Sequence, residues 1–300
     1  MMTQTIGVLG GTGFIGGHLV SRLTGDGYSV RVLTRNAKRA RQFQSTAQVE
    51  VREVNDFEVA TLAQALSGCQ AVINLIGILN GSPEAFDRIH AQLPTHVVAA
   101  ATQAGASHYL HMSALNANAE HGPSEYLKSK GRGEAAALAG SEQGLHVSSL
   151  QPSVVFGPGD SFFNRFAGLL KFSPMIPLAC PNARFAPVYV GDVVEAFMRT
   201  LTRSDTGGQC YELCGPKIYT LKELVEYTAE LTGRKRLILG LPDGLSRLQA
   251  KVFERLPGQP FTTDNYLSMQ IDSVCRRDGL AELGITPQAA DDILPPLFKR

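Results

Sequence analysis

The sequence predicts an α/β fold: a doubly wound parallel sheet carrying a smaller, mainly helical C-terminal lobe. Three observations predict it. The first two hundred residues alternate short β-rich runs with amphipathic stretches. The β-rich runs are continuously apolar or β-branched, as strands buried on both faces are. After residue 150 this rhythm gives way to loops punctuated by Pro and Gly, with several helices beyond them.

Strands are expected at 5–10, 28–34, 49–54, 71–76, 108–113 and 146–150, each bounded by Gly or polar residues. Between them, 14–23 places Ile15, Leu19 and Leu23 on one helical face, and a longer helix over 83–104 stops at Gly105. Strand–helix alternation implies a parallel sheet with helices on both faces. GPGD at 157–160 and the stretch 173–187 are loop chemistry around a short helix. A strand and helix over 187–201 read as a return to the sheet, and the tail from 207 holds one short strand, 209–213, and several helices. The expected division is a dinucleotide-binding domain over 1–155, rejoined by about 187–203, with 156–186 and 204–300 forming the lobe. Such a lobe walls a cleft at the carboxyl ends of the strands, where ligands of open α/β sheets sit.

The 300 residues are 44% apolar and 18% charged, enough to close a sizeable core. With 28 Lys plus Arg against 27 Asp plus Glu, no global field exists to hold nucleic acid or acidic lipid strongly. The longest apolar run, 71–79, is too short to span a bilayer, so no transmembrane segment is expected. The start runs straight into a strand with no basic n-region or cleavage site. These features predict a soluble, cytoplasmic protein. The five cysteines lack a metal-ligand rhythm, even though Cys210 and Cys214 lie four apart. They are expected to be reduced, packed thiols, with no metal site.

Gly10-Gly11-Thr12-Gly13-Phe14-Ile15-Gly16 carries GxGxxG and GxxGxxG spacings after a predicted strand and at the start of a predicted helix. In that context the motif marks a dinucleotide site. Gly10 and Gly11 allow the tight turn, Gly13 admits a pyrophosphate to the backbone, and Gly16 lets the helix pack closely. The helix N-terminus then offers unpaired N–H groups to the phosphates. The second strand ends in Leu33-Thr34-Arg35-Asn36 instead of an acid, with Lys38, Arg39 and Arg41 following. A carboxylate repels a ribose 2′-phosphate, whereas Arg35 pairs with it, so NADP(H) is preferred over NAD(H). Arg39 and Arg41 read as a solvated face. Asp56 is a candidate acceptor for the adenine amine, and Ile76 and Gly77 end the fourth strand where backbone passes the cofactor ribose. Either site is equally open to a plain turn role.

Tyr126 and Lys130 stand at i and i+4 of a predicted helix. A nearby ammonium favours phenolate, lowers the tyrosine pKa from about 10, and can hold a nicotinamide ribose. Ser113, ending the fifth strand, is placed to polarise a carbonyl, although strand-end serines also serve as caps. Together they point to hydride transfer between nicotinamide and a carbonyl or alcohol carbon of an unidentified small molecule.

GGTGFIGGHLV, the NLIG strand end, the Tyr126/Lys130 pair, QPSVVFGPGD and PVYVGDVVEAF occur in the order found in extended short-chain dehydrogenases/reductases, which the chain resembles over nearly its whole length. HMSALNANAEHGPSEYLKSKGRGE (111–134) is similar to an atypical, epimerase/dehydratase-type branch. That branch includes the alpha-subcomplex subunit 9 of respiratory complex I and its bacterial relatives. The resemblance implies a Rossmann domain with bound NADP(H), adds Pro152 and Val154 to the cofactor contacts, and belongs to a branch in which catalysis is not universal. It offers a respiratory complex, or a membrane surface on its inner face, as a partner. Ser113 lies only 13 residues before Tyr126, a shorter substrate loop than in sugar-nucleotide epimerases. His90 stands where the family carries a proton-relaying Asn, and Gln151 where many relatives carry Arg. A partly exposed helix histidine is the favoured reading of His90.

In the lobe, 241–256 is an amphipathic helix with Leu241, Leu245, Leu248, Val252, Phe253 and Leu256 on one stripe and Arg247, Lys251 and Arg255 on another. The expected arrangement packs the apolar stripe on the core and leaves the charges solvated. Docking to a headgroup layer or a partner subunit is the alternative. Phe162, Phe163, Arg165 and Arg184 are candidates for the cleft lining.

Overall fold

A computed structural model describes residues 4–298; the first three residues of the start that was read for a leader lie outside it. β1 (Thr5–Leu9) runs through the glycine turn into α1 (Phe14–Gly25), and β2 (Ser29–Thr34) returns parallel to β1. A 3₁₀ helix (Ala37–Phe43) leads to β3 (Val49–Glu53), followed by α2 (Val59–Leu66) and β4 (Ala71–Asn74). The expected helix over 83–104 is observed as α3 (Pro83–Asp87), a π-helical turn (Arg88–Gln92) and α4 (Leu93–Gln103). The wide turn falls just before Pro94, which has no N–H to donate. β5 (His108–Met112), α5 (Glu125–Leu138) and β6 (His146–Pro152) complete the alternation.

Beyond β6 the chain builds β7 (Val155–Phe156), α6 (Phe162–Phe172), β8 (Met175–Leu178), β9 (Arg184–Phe185) and β10 (Val188–Tyr189). Then come α7 (Val190–Thr202), β11 (Gln209–Leu213), β12 (Tyr219–Thr220) and α8 (Leu221–Leu231). The chain ends with β13 (Leu237–Gly240), α9 (Asp243–Phe253), α10 (Thr263–Ser268), α11 (Gly279–Glu282) and α12 (Ala290–Phe298).

The main sheet has seven parallel strands in the order β11-β6-β5-β4-β1-β2-β3. Its order reverses between β1 and β4, which opens a crevice at their carboxyl ends. The continuous apolar runs follow from burial on both faces. Ile6, Val8, Val30 and Val32 pack with α1 and α7 on one side, and Leu9, Leu33, Val72 and Tyr109 with α2 and α4 on the other.

Two expectations about the sheet need correction. The strand at 209–213, assigned above to the lobe, is β11 and pairs with β6 at the edge of the main sheet. The strand expected to rejoin the sheet near 188 is β10, which pairs with β7 instead. α7 alone returns there, because its Val193, Ala196 and Phe197 face the sheet core.

The cysteines differ too. Cys214 and Cys275 form a disulfide across a 61-residue separation, while Cys69, Cys180 and Cys210 are free. Sequence spacing hid the pair, since the segment after α10 turns back beside β11: Glu212 accepts from the Arg276 and Arg277 N–H groups at 2.5 and 3.0 Å. Lastly, α9 buries Ser246 and Ala250, and leaves Leu245, Leu248 and Val252 in solvent. Its apolar stripe is therefore turned away from the core. No helix among the described residues is long and apolar enough to cross a membrane.

Candidate functional site

Because all seven strands are parallel, their carboxyl ends share one edge, and that edge gathers the residues singled out above. At the end of β1, Gly10 adopts φ +81°, a left-handed conformation that favours glycine. Its carbonyl accepts from the Gly13 N–H at 3.0 Å, closing the turn. A Cβ at Gly10 would lie 3.0 Å from the Leu75 carbonyl carbon, so β1 and the end of β4 leave a narrow crevice. Gly11 is packed against Val32 and has ordinary negative φ, so its role is close packing on β2.

Gly16 is the tightest of these residues: a Cβ there would lie 2.2 Å from the Gly10 carbonyl oxygen. Gly13 caps α1 and supplies no side chain to its N-terminus. The first-turn N–H groups from Phe14 onward therefore have no side-chain cap, the arrangement that suits an anion such as a pyrophosphate. Ile15 packs inward against the sheet core, so its side chain is turned from the glycine turn's open side and only its backbone is available there.

Around this cradle, Asn74 Oδ1 accepts from the Ile76 N–H at 3.1 Å and shapes the β4 exit, with Gly77 exposed beyond it. Pro152 and Val154 stand at the end of β6, their carbonyls accepting from Leu115 at 3.1 Å and Val188 at 2.9 Å. Arg35 is exposed at the end of β2, its guanidinium 5.5 Å from the centre of the Phe57 ring. It makes no ion pair among the described residues. Asp56 is exposed, and its Oδ1 accepts from the Glu58 N–H at 3.0 Å, an Asx turn that leaves Oδ2 open.

The catalytic candidates lie at the end of β5 and on α5. Ser124 Oγ caps α5 by accepting from Leu127 at 3.2 Å, and Tyr126 and Lys130 follow one turn apart. Lys130 is buried, 5% exposed, and its Nζ donates to the Met112 carbonyl at 2.6 Å. Burial lowers its pKa to about 8, partly offset by Glu134. Glu134 in turn accepts from Ser149 Oγ at 2.5 Å and Gln151 Nε2 at 2.8 Å, which is the post occupied by Gln151. Ser113 is buried at the end of β5 with its Oγ unpartnered. An orphaned buried hydroxyl costs about 1–3 kcal/mol unless a ligand or water meets it. Two residues earlier on the same strand face, His111 also has an unpartnered Nε2. Asn74 Nδ2 donates to the Tyr109 hydroxyl at 3.4 Å, which reaches His111 Nδ1 at 3.2 Å.

Two expectations change here. Tyr126 was expected to have its pKa lowered by Lys130; burial, reinforced by the Asp264 carboxylate, instead raises it to about 12. The physical reason is burial first, which disfavours the charged phenolate, and second the carboxylate that comes in from the lobe. Asp264 accepts from the Glu125 and Tyr126 N–H groups at 2.7 and 3.2 Å, pinning the lobe to the start of α5. No sequence signal marked it. His90 is buried, not partly exposed, because the π turn rotates it inward. Its Nε2 accepts from the Ile78 N–H at 3.0 Å and its Nδ1 meets Ser129 Oγ at 2.9 Å. Burial and Lys130 depress its pKa to about 3, so it is neutral and serves to hold the β4 exit loop against α5.

Between α5 and the lobe lies a cleft of about 330 Å³ lined by Phe86, Glu125, Glu254, Thr263, Asp264 and Leu267. Of the lobe residues proposed to line it, Phe163 is buried within the lobe core, and Phe162 packs beside it. Arg165 donates to the Pro260 carbonyl in the strap below the cleft, and Arg184 pairs with Asp272 at 3.4 Å.

Comparison with known proteins agrees with the cradle. An NAD(P)H-binding family model matches residues 10–154. The chain is 29% identical over 290 residues to NADH dehydrogenase [ubiquinone] 1 alpha subcomplex subunit 9, mitochondrial, of Mus musculus, covering 93% of this chain and 76% of that protein. It is 29% identical over 242 residues to ceramide reductase of Caulobacter vibrioides, covering 79% and 74% respectively. Among solved structures, dTDP-glucose 4,6-dehydratase DesIV of Streptomyces venezuelae, with NAD and DAU bound, superposes with TM-score 0.78 at 20% identity, covering 98% of this chain and 95% of that one. The seven-stranded parallel sheet and the glycine turn thus give the chain a Rossmann-type α/β fold, shared with the dehydratase structure, and residues 10–154 are similar to an NAD(P)H-binding family.

Proposed function

We propose that the chain is an NADP(H)-dependent oxidoreductase that reduces a small-molecule carbonyl, with Tyr126, Lys130 and Ser113 as its catalytic residues. The observation carrying this reading is the buried, unpartnered Ser113 Oγ, held on the strand whose Met112 carbonyl fixes Lys130. Bound NADPH supplies hydride from C4 of its nicotinamide. Ser113 donates a hydrogen bond to the substrate oxygen as negative charge develops on it. Tyr126, whose raised pKa keeps the phenol protonated at neutral pH, then gives that oxygen a proton. Lys130 has two further N–H donors beyond its bond to Met112, suited to ribose hydroxyls and to the returning proton. For the cofactor itself, exposed Arg35 at the end of β2 supports a 2′-phosphate, with Gly10 to Gly16, Asp56, Ile76, Gly77, Pro152 and Val154 around the remainder.

Similarity across 93% of the chain to a complex I subunit favours a second reading. In it the dinucleotide stabilises an accessory or assembly protein by binding the native state, and the chain sits with a respiratory complex at the inner membrane face. One experiment separates the two. Nicotinamide absorbance of the NADPH-loaded protein is followed while small-molecule cell extract and soluble quinones are added, with Tyr126→Phe as control. Oxidation that falls at least about a hundredfold in the Phe variant supports the enzyme. Tight NADPH binding with no oxidation in either protein refutes it and moves the search to partners.

A further inference from the structure

We propose that α9 and the outer face of the β8–β13 ribbon form an interfacial surface that docks on an anionic lipid bilayer. The argument starts from the direction of the apolar stripe. Ser246 and Ala250 anchor α9 to the lobe, Ser246 Oγ accepting from the Cys180 N–H at 3.1 Å. On the opposite side, Leu245, Leu248 and Val252, at i, i+3 and i+7, are 49%, 55% and 46% exposed. Leu256, in the turn that follows, is 45% exposed. An ordinary lobe helix turns its apolar stripe inward; this one presents it to water.

The stripe is not isolated. Gln249, at its margin, donates to the Pro177 carbonyl at 2.9 Å, joining α9 to the ribbon. There Leu237 pairs with Met175 and Leu239 with Pro177, all four exposed, while Ile176 and Ile238 point into the lobe core. Phe172, three residues before Met175, is 83% exposed. Large exposed apolar side chains gathered on two hydrogen-bonded elements mark an interaction site.

Charge identifies the occupant. Arg247, Lys251 and Arg255 run along one flank of the stripe at four-residue intervals and make no ion pair among the described residues. The neighbouring acids are engaged elsewhere: Asp243 accepts from the Tyr266 hydroxyl at 2.7 Å, and Glu254 accepts from Thr263 Oγ1 at 2.6 Å. An aliphatic stripe flanked by free cations matches the acyl–headgroup boundary of an anionic leaflet. A second copy of the chain would meet it with the same cations, and like charges repel.

The test is co-sedimentation of the full chain with phosphatidylcholine vesicles, with and without phosphatidylglycerol. The expected result is binding to the anionic vesicles that weakens with salt. It should fall about tenfold or more in Leu248→Glu/Val252→Glu and in Arg247→Gln/Lys251→Gln/Arg255→Gln. The thermal midpoint should be unchanged, since these side chains are exposed. Absence of binding to anionic vesicles, equal binding to the uncharged ones, or binding untouched by both variants overturns the proposal. So does concentration-dependent self-association, abolished by Leu248→Glu/Val252→Glu, in a protein that ignores vesicles.

Discussion

Replacing Gly16 by Ala tests the cradle most directly, because one methyl group meets only backbone. The added Cβ would sit 2.2 Å from the Gly10 oxygen, 2.6 Å from Gly11 Cα and 2.8 Å from the Gly11 carbonyl carbon. Ordinary contact begins near 3.4 Å, so α1 must lift by about 1.2 Å or the turn must open. No side chain can rotate away to relieve this. Overpacking of this kind typically costs about 1–3 kcal/mol, and a backbone clash belongs at the upper end. At an unfolding entropy of about 2.1 cal/mol/K per residue, a chain of 300 residues shifts by roughly 1.6 °C per kcal/mol, so the thermal midpoint should fall by about 5 °C. The same lift carries the α1 N–H groups away from the phosphates, so dinucleotide affinity should drop more than about tenfold. Gly17→Ala is the control, since its Cβ would meet only the flexible Gln42 amide at 3.5 Å. It should be neutral or stabilising by up to about 1 kcal/mol, as Ala is favoured in a helix. Urea denaturation and NADPH fluorescence titration read both quantities. If Gly16→Ala folds and binds like Gly17→Ala, the close-packing account of the motif is wrong.

Arg35→Ala should weaken NADPH about tenfold or more, the worth of a charge-assisted hydrogen bond, and leave NADH nearly unchanged; equal losses for both cofactors would remove the 2′-phosphate role. Lys130 gives a pH signature. Its pKa is about 8 folded against 10.5 unfolded, so the unfolded chain binds more protons in that window. Stability is therefore gained as pH rises from 8 toward 10.5 and lost as it falls, by about 3 kcal/mol in all. Lys130→Met should flatten the pH 8–10 limb of the urea midpoint, and an unchanged slope would argue against a buried ammonium. Reducing Cys214–Cys275 should cost about 2–4 kcal/mol, seen as a lower melting temperature in dithiothreitol. Cys214→Ser should show the same loss and no further response to the reductant.

The strands and the cradle were legible because local pattern determines them. β1 to β6 are short apolar runs that only a doubly covered sheet accommodates, and Gly10 to Gly16 form a contiguous turn whose steric demands are written in consecutive residues. Tyr126 and Lys130 were legible as an i, i+4 pair on α5. Their electrostatics were not, since the Tyr126 pKa answers first to burial that no spacing encodes and then to Asp264, 138 residues along the chain.

Residues far apart in sequence made the remaining decisions. β11 joined the main sheet because β6 offered it a free edge, and the cysteine pair closed because the segment after α10 returned to that strand. His90 turned inward because a π turn shifted its phase on the helix. The amphipathicity of α9 was plain from its periodicity, but which side faces the protein was not. Periodicity determines that a helix has two faces; only the shape of the surface it lands on decides which face is buried. Here Ser246 and Ala250, small enough to seat the helix closely on the lobe, took the inside, and the leucines were left in water.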